Sequence, residues 1–178
     1  MLKYHNFDIV CQEIPDELTL AINITCCPIR CEGCHSKWLW KDVGTILNVA
    51  ELRDMLKCYG DVITCVCFMG GDQAPKEVED LAKFLSRNYP SLRRAWYSGR
   101  EEIPDGVDAT TYDYIKLGPD RAYLGGLDNP DTNQCIYHVE KNGKMTDITY
   151  KMQRKAQDPI LPEEGVTPVE TKPTEINI

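Results

Sequence analysis

The chain has 178 residues, 42% of them hydrophobic, which is ordinary for a globular protein and enough for one domain with a real core. No apolar stretch approaches the ~18 residues of a membrane span, and the first ten residues lack the basic-then-apolar layout of a secretory leader, so a cytoplasmic setting without a membrane partner is expected. The net charge is −8, and residues 157–178 hold five carboxylates against Lys172 alone; no basic stripe suited to nucleic acid appears.

Residues 18–25, LTLAINIT, are rich in β-formers and run straight into the string CPIRCEGC, which places Cys27, Cys31 and Cys34 within eight residues. Iron–sulfur clusters are held by Cys thiolates, and a four-iron cube normally takes four of them. Three thiolates from one loop leave one iron with an open position, as catalytic metal sites do. Zinc is the alternative, although its usual second CxxC or paired His is missing. A bacterial ferredoxin loop has a different spacing. Nine cysteines is an odd count and no leader precedes them, so disulfides are not expected.

After the loop, Val49, Leu52, Leu56 and Tyr59 recur at helical spacing, with Asn48 as cap, Glu51 three residues on and Gly60 as stop. The run VITCVCFM over 62–69 reads as a strand buried on both faces, ending in Gly70-Gly71-Asp72. Between Pro75 and Pro90, Val78, Leu81, Ala82 and Leu85 mark one face of a second helix. Short strands follow at 93–99, 112–118 and 135–140, and a last one at ITYK, 148–151. From 152 to 178 the chain is acidic and Pro-rich, and is expected to stay disordered.

Strands alternating with helices predict an α/β domain over residues 1–151 with a parallel sheet whose strand C-termini share one edge. Ligands bind outside that edge. The Cys triplet, Gly-Gly-Asp, Tyr97-Ser98-Gly99 and Lys116 all fall there. Two glycines let backbone approach a ligand closely, although Gly-Gly-Asp is also a common turn. Ser98 reads as a ribose ligand or a turn serine. A buried Lys116 needs an anion; otherwise it snorkels. Trp38 and Trp40 read as packing residues or as marks of a partner surface. Cys65 and Cys67 share a strand face as small hydrophobes, and Cys26 reads as a bystander to the triplet.

Taken together, CPIRCEGCHSKWLW, CFMGGD, AWYSGR, YIKLG and LDNPDTNQ resemble the radical S-adenosylmethionine (SAM) enzymes. The likeness is closest to the anaerobic ribonucleoside-triphosphate reductase-activating proteins, from about Asp8 to Lys151. The segment before the first strand, His35 after the last cluster cysteine, and Cys135 after the Asn-Gln pair depart from that pattern. The resemblance implies a short, open partial (β/α) barrel. It implies a 4Fe–4S cluster on Cys27, Cys31 and Cys34 with one iron free for SAM, and SAM contacts from Gly33, His35, Gly70, Gly71, Asp72, Ser98 and Lys116. It further implies glycyl-radical activation of a large reductase subunit, fed by a flavodoxin- or ferredoxin-type electron donor.

Overall fold

Residues 1–153 are described in the computed structural model. In chain order the elements are β1 (Lys3–Val10), β2 (Thr19–Ile24), β3 (Thr45–Ile46), α1 (Val49–Tyr59), β4 (Cys65–Met69), α2 (Pro75–Asn88), β5 (Arg93–Tyr97), β6 (Tyr114–Leu117), β7 (Cys135–Val139) and β8 (Met145–Asp147). All eight strands form one open sheet in the order β3-β1-β2-β4-β5-β6-β7-β8. The fold is α/β, as expected. The tail expected from 152 onward lies, after residue 153, outside the described residues.

The parallel sheet is realised only in its centre. β2, β4, β5 and β6 run parallel, while β1, β3, β7 and β8 pair antiparallel. A parallel return requires a crossover, usually helical. The 118–134 connection from β6 holds no helix, and β7 returns antiparallel beside β6. β8 follows through a hairpin closed by Glu140 N donating to Lys144 O at 2.9 Å, with Gly143 at φ +86°. The expected strand at ITYK is instead a 3-10 turn over Thr149–Lys151. Asp147 Oδ1 accepts from Thr149 N and Oγ1 at 2.8 and 2.6 Å, and such an Asp-led turn competes with the ladder. β4 starts at Cys65 rather than 62, because Val62 and Ile63 still donate to Tyr59 O and round off α1.

Helix α1 starts where Asn48 Oδ1 accepts from Ala50 N and Glu51 N at 2.9 and 3.0 Å. Glu51 does not complete a capping box; it accepts from Tyr4 Oη at 2.6 Å and ties α1 to β1. Helix α2 has Pro75 in its first turn, where its missing N–H costs nothing.

Side-chain alternation sorts the sheet into two faces. Leu20, Ile22, Ile24, Val66, Phe68, Trp96, Ile115 and Leu117 pack under Leu52, Met55 and Leu56 of α1 and Val78, Leu81, Ala82 and Leu85 of α2. Among the described residues no α-helix covers the opposite face. Its inner part, Cys65, Cys67, Ala95 and Ile136, is covered by Ile14 and Leu127 from loops. Ile14 is fully buried, contributing about 2 kcal/mol. Its loop is held by Tyr97 Oη donating to Glu13 O and by Tyr114 Oη donating to Glu17 Oε1 at 3.0 Å. Among the described residues no helix is long and apolar enough to cross a membrane.

Candidate active site

The face away from α1 and α2 ends in a row of unlike side chains. Asn23 on β2 stands beside Met69 on β4, Met69 beside Tyr97 on β5, and Tyr97 beside Lys116 on β6. All four line a cleft of about 190 Å³ at the C-terminal edge of the parallel strands. Cys27, Cys34, Ser36, Leu39 and Trp40 form its other wall, and Gly70, Asp72, Ser98 and Gly99 its rim. A larger hollow of about 710 Å³ between Cys11–Asp16 and Tyr150–Gln153 contains none of these residues.

The cysteine loop is folded back over this edge by its own backbone. Cys26 N donates to Lys41 O at 3.1 Å and Cys27 N to Leu39 O at 3.0 Å. Cys26 and Arg30 take φ of +62° and +50°, conformations that L residues adopt at a cost. The turn at Cys26 sends its side chain to Asp42 and Lys3, whose Nζ and Oδ1 pair at 2.7 Å, while Cys27 turns into the cleft. Burial pushes the Cys27 thiol up, opposed by backbone hydrogen bonds from Arg30 and Ile29. Cys31 does not line the cleft, but it lies close enough to act electrostatically on both Cys27 and Lys116.

Two glycines act by giving room to neighbours. A Cβ on Gly33 would meet Ala122 N at 2.6 Å, and one on Gly99 would meet Ile29 at 3.0 Å. The cysteine loop is therefore seated between β5 and the 119–126 segment. Gly71, at φ +90°, has no room for a Cβ, since Val78 Cγ2 lies 2.4 Å away. Its reason is packing against α2. Gly70, at φ +99°, is more open, with Ile24 O the nearest atom at 3.4 Å; its carbonyl accepts from Trp96 Nε1 at 2.8 Å.

Asp72 and Ser98 are both buried, and they engage each other. Ser98 Oγ donates to Asp72 Oδ1 at 2.6 Å, Gly99 N donates to Asp72 Oδ2 at 3.1 Å, and Arg100 N donates to Ser98 Oγ at 3.0 Å. Arg100 Nη2 adds a bond to Asp72 O at 2.9 Å. These contacts knit the ends of β4 and β5 together at the rim. Lys116 differs. Its Nζ is buried and donates to Gly118 O at 2.6 Å, 5.9 Å from the Tyr97 ring centre. No carboxylate pairs with it within 4 Å among the described residues. Burial pulls Lys116 down to about 8, opposed by the charges of Cys31, Asp120, Asp72 and Cys135. A buried ammonium held by a carbonyl and an aromatic ring, with no carboxylate in direct contact among the described residues, is chemically suited to an anion.

His35 points outward, 90% exposed, with Nδ1 3.2 Å from Asp120 Oδ2. Asn23 and Met69 did not emerge from the sequence as site residues. The signal for Asn23 was its presence inside an apolar strand, where Asn is disfavoured; Met69 carries no such signal. All nine cysteines are free thiols. Cys65 and Cys67 are fully buried on the covered part of the face, and their thiols are pushed up by desolvation, which makes them inert.

Among the described residues no three His, Cys, Asp or Glu side chains are gathered closely enough to form a metal site as they stand. In kind, the three thiols of the loop fit an iron–sulfur cluster, and two of them, Cys27 and Cys34, line the cleft. Soft thiols are the donors such a cluster takes; Trp40 Nε1 is buried on the wall with no hydrogen-bond partner among the described residues; and the Lys116 ammonium is buried in the same cleft without a carboxylate in contact. Comparison with family models, with curated proteins and with solved structures gave no match.

Proposed function

We propose that this chain is a radical SAM activase of the reductase-activating type, working on an anaerobic ribonucleoside-triphosphate reductase in the cytoplasm. What carries the reading is the buried, anion-seeking Lys116 in the same cleft as Cys27 and Cys34. Cys27, Cys31 and Cys34 would hold a 4Fe–4S cluster, which, once reduced by its electron donor, would supply the electron for reductive cleavage of SAM and so the hydrogen-abstracting chemistry directed at a backbone glycine of the reductase.

The chain's own residues bind, orient and shield. Lys116 seats a carboxylate at the β6 end of the row, where the charge-assisted hydrogen bond offsets the cost of burying the ammonium. Asp72 and Ser98, tied to each other, keep the β4 and β5 turns at fixed separation so that Gly70 and Gly99 present backbone to the ligand. Met69, Leu39 and Trp40 exclude water, which strengthens every polar contact inside. A partial (β/α) barrel of the radical SAM type is the architecture this reading assigns to the central parallel strands. Its partners are the large glycyl-radical subunit and a flavodoxin- or ferredoxin-type donor. Neither nucleic acid nor membrane takes part.

The test is anaerobic reconstitution with iron and sulfide, followed by dithionite and SAM. We expect about four irons per chain, 5′-deoxyadenosine as product, and a glycyl radical signal when the reductase subunit is added. A zinc-loaded protein, or a cluster whose spectrum is indifferent to SAM, overturns the proposal. Product without a radical on the reductase leaves radical SAM chemistry but points to another target peptide.

A further inference from the structure

Asn23 is the polar member of the cleft row farthest from Lys116. Three strand spacings separate them, about 14 Å, so a group held on Lys116 does not also occupy Asn23. Asn23 Nδ2 donates to Asn6 Oδ1 at 3.2 Å, directly across the β1–β2 pair. Asn6 Nδ2 donates in turn to Asp8 Oδ2 at 3.3 Å. This chain has a direction. Ionised Asp8 can only accept, so Asn6 must turn its NH₂ toward Asp8 and its carbonyl oxygen toward Asn23. Asn23 must then give its NH₂ to Asn6, which leaves its own carbonyl oxygen and one N–H for a ligand.

The setting identifies the ligand. Asn6 and Asp8 are exposed and Asn23 is half-buried, so this end of the cleft opens to solvent while the Lys116 end is closed. On the outer side of β1, β3 pairs only with Lys3 and Tyr4, so among the described residues no strand pairs with residues 6–10 on that side, beside the Asn pair. An oriented acceptor with a neighbouring donor matches the N–H and C=O of one residue in an extended chain, which point to the same side.

Resting on the activase reading, we infer that Asn23, oriented by Asn6 and Asp8, hydrogen-bonds the backbone of the substrate peptide and seats its glycine at the open end of the cleft. Asn23 is the binding residue; Asn6 and Asp8 are positioning residues.

The probe is a fluorescein-labelled ten-residue peptide bearing the reductase's target glycine, titrated by anisotropy against the full chain reconstituted with cluster and SAM. SAM affinity is measured in parallel by equilibrium dialysis. For Asn23→Leu we expect peptide affinity to fall about tenfold, the scale of one or two neutral hydrogen bonds, with SAM affinity changing less than about twofold on that scale. Asn6→Ala, on the exposed strand, should weaken the peptide about threefold by releasing the orientation of Asn23. Unchanged peptide affinity in both variants, no peptide binding by the unaltered protein, or a loss confined to SAM (the adenine amine being the true donor) each overturns the inference. Failure of SAM cleavage in the unaltered protein sinks the activase reading instead, and the anisotropy arm remains a separate result.

Discussion

Ser98 Oγ donates to Asp72 Oδ1 at 2.6 Å inside the protein, joining the turn after β5 to the turn after β4. A charge-assisted bond of this kind is worth more than a neutral one, and its loss leaves a buried carboxylate short of a partner. Ser98→Ala should therefore cost about 2 kcal/mol, which is a fall of roughly 4–8 °C in melting temperature for a domain of this size. A thermal melt of cluster-free protein measures it. A variant melting with the unaltered protein means that Gly99 N and Arg100 satisfy Asp72 alone.

Gly71 and Gly106 both lie at positive φ, +90° and +79°, but only Gly71 faces a neighbour. Alanine at Gly106 meets open space and pays backbone strain alone, about 1 kcal/mol. Alanine at Gly71 adds a clash with Val78 on α2 and should cost about 2–4 kcal/mol in all. Urea melts of the two variants give the comparison. Equal losses contradict the assignment of Gly71 to helix packing.

Lys116 has a definite pH signature. Its ammonium is destabilised by burial, from an ordinary 10.5 to about 8. Between those values the unfolded chain binds the proton and the folded chain does not, so stability rises with pH across about 8 to 10.5 and the penalty is complete below 8. Lys116→Met should thus be more stable than the unaltered protein at pH 7, by on the order of 2 kcal/mol, and the advantage should vanish by about pH 10.5. Paired denaturant melts at both pH values check it, thiol titration being common to both proteins. In the liganded cleft the sign reverses for function: an anion held by Lys116 should bind less well as pH rises through 8.

Cys26 and Cys27 are neighbours with opposite fates. Cys26 sits at φ +62° with its side chain toward Asp42 and Lys3, and Cys27 lines the cleft. Cys26→Gly relieves the strained φ and should leave iron uptake intact while changing stability by no more than about 1 kcal/mol. Cys27→Ala should abolish stable cluster assembly. Iron and sulfide analysis after anaerobic reconstitution distinguishes them, and iron loss in both variants contradicts the separation of roles.

Much of the central architecture is legible in the residues. The helical spacing of Val78, Leu81, Ala82 and Leu85 finds its buried face, and Asn48 its cap, because both depend on contacts within a few residues. β1 escaped detection. Its pattern serves two different neighbours: Tyr4 and Phe7 pack toward the helices, while Asn6 and Asp8 stay exposed on the other face. The antiparallel return of β7 was equally hidden, since nothing local tells a strand which partner it will meet. Met69 joined the site through register alone. One residue of slip would have moved it to the helix face.

The sequence by itself determined the candidate site residues and their neighbourhood: three thiols on one loop, glycines and an aspartate after the next strand, and a lysine in an apolar strand. These are covalent spacings, and no folding is needed to read them. Only the tertiary structure decided which polar groups are already spent. Asp72 and Ser98 satisfy each other, whereas among the described residues the one hydrogen bond of Lys116 goes to a carbonyl. It also brought Asn23, Met69, Tyr97 and Lys116 into one row, because hydrogen-bond register between strands far apart in the chain, and not spacing along it, sets which side chains share a cleft.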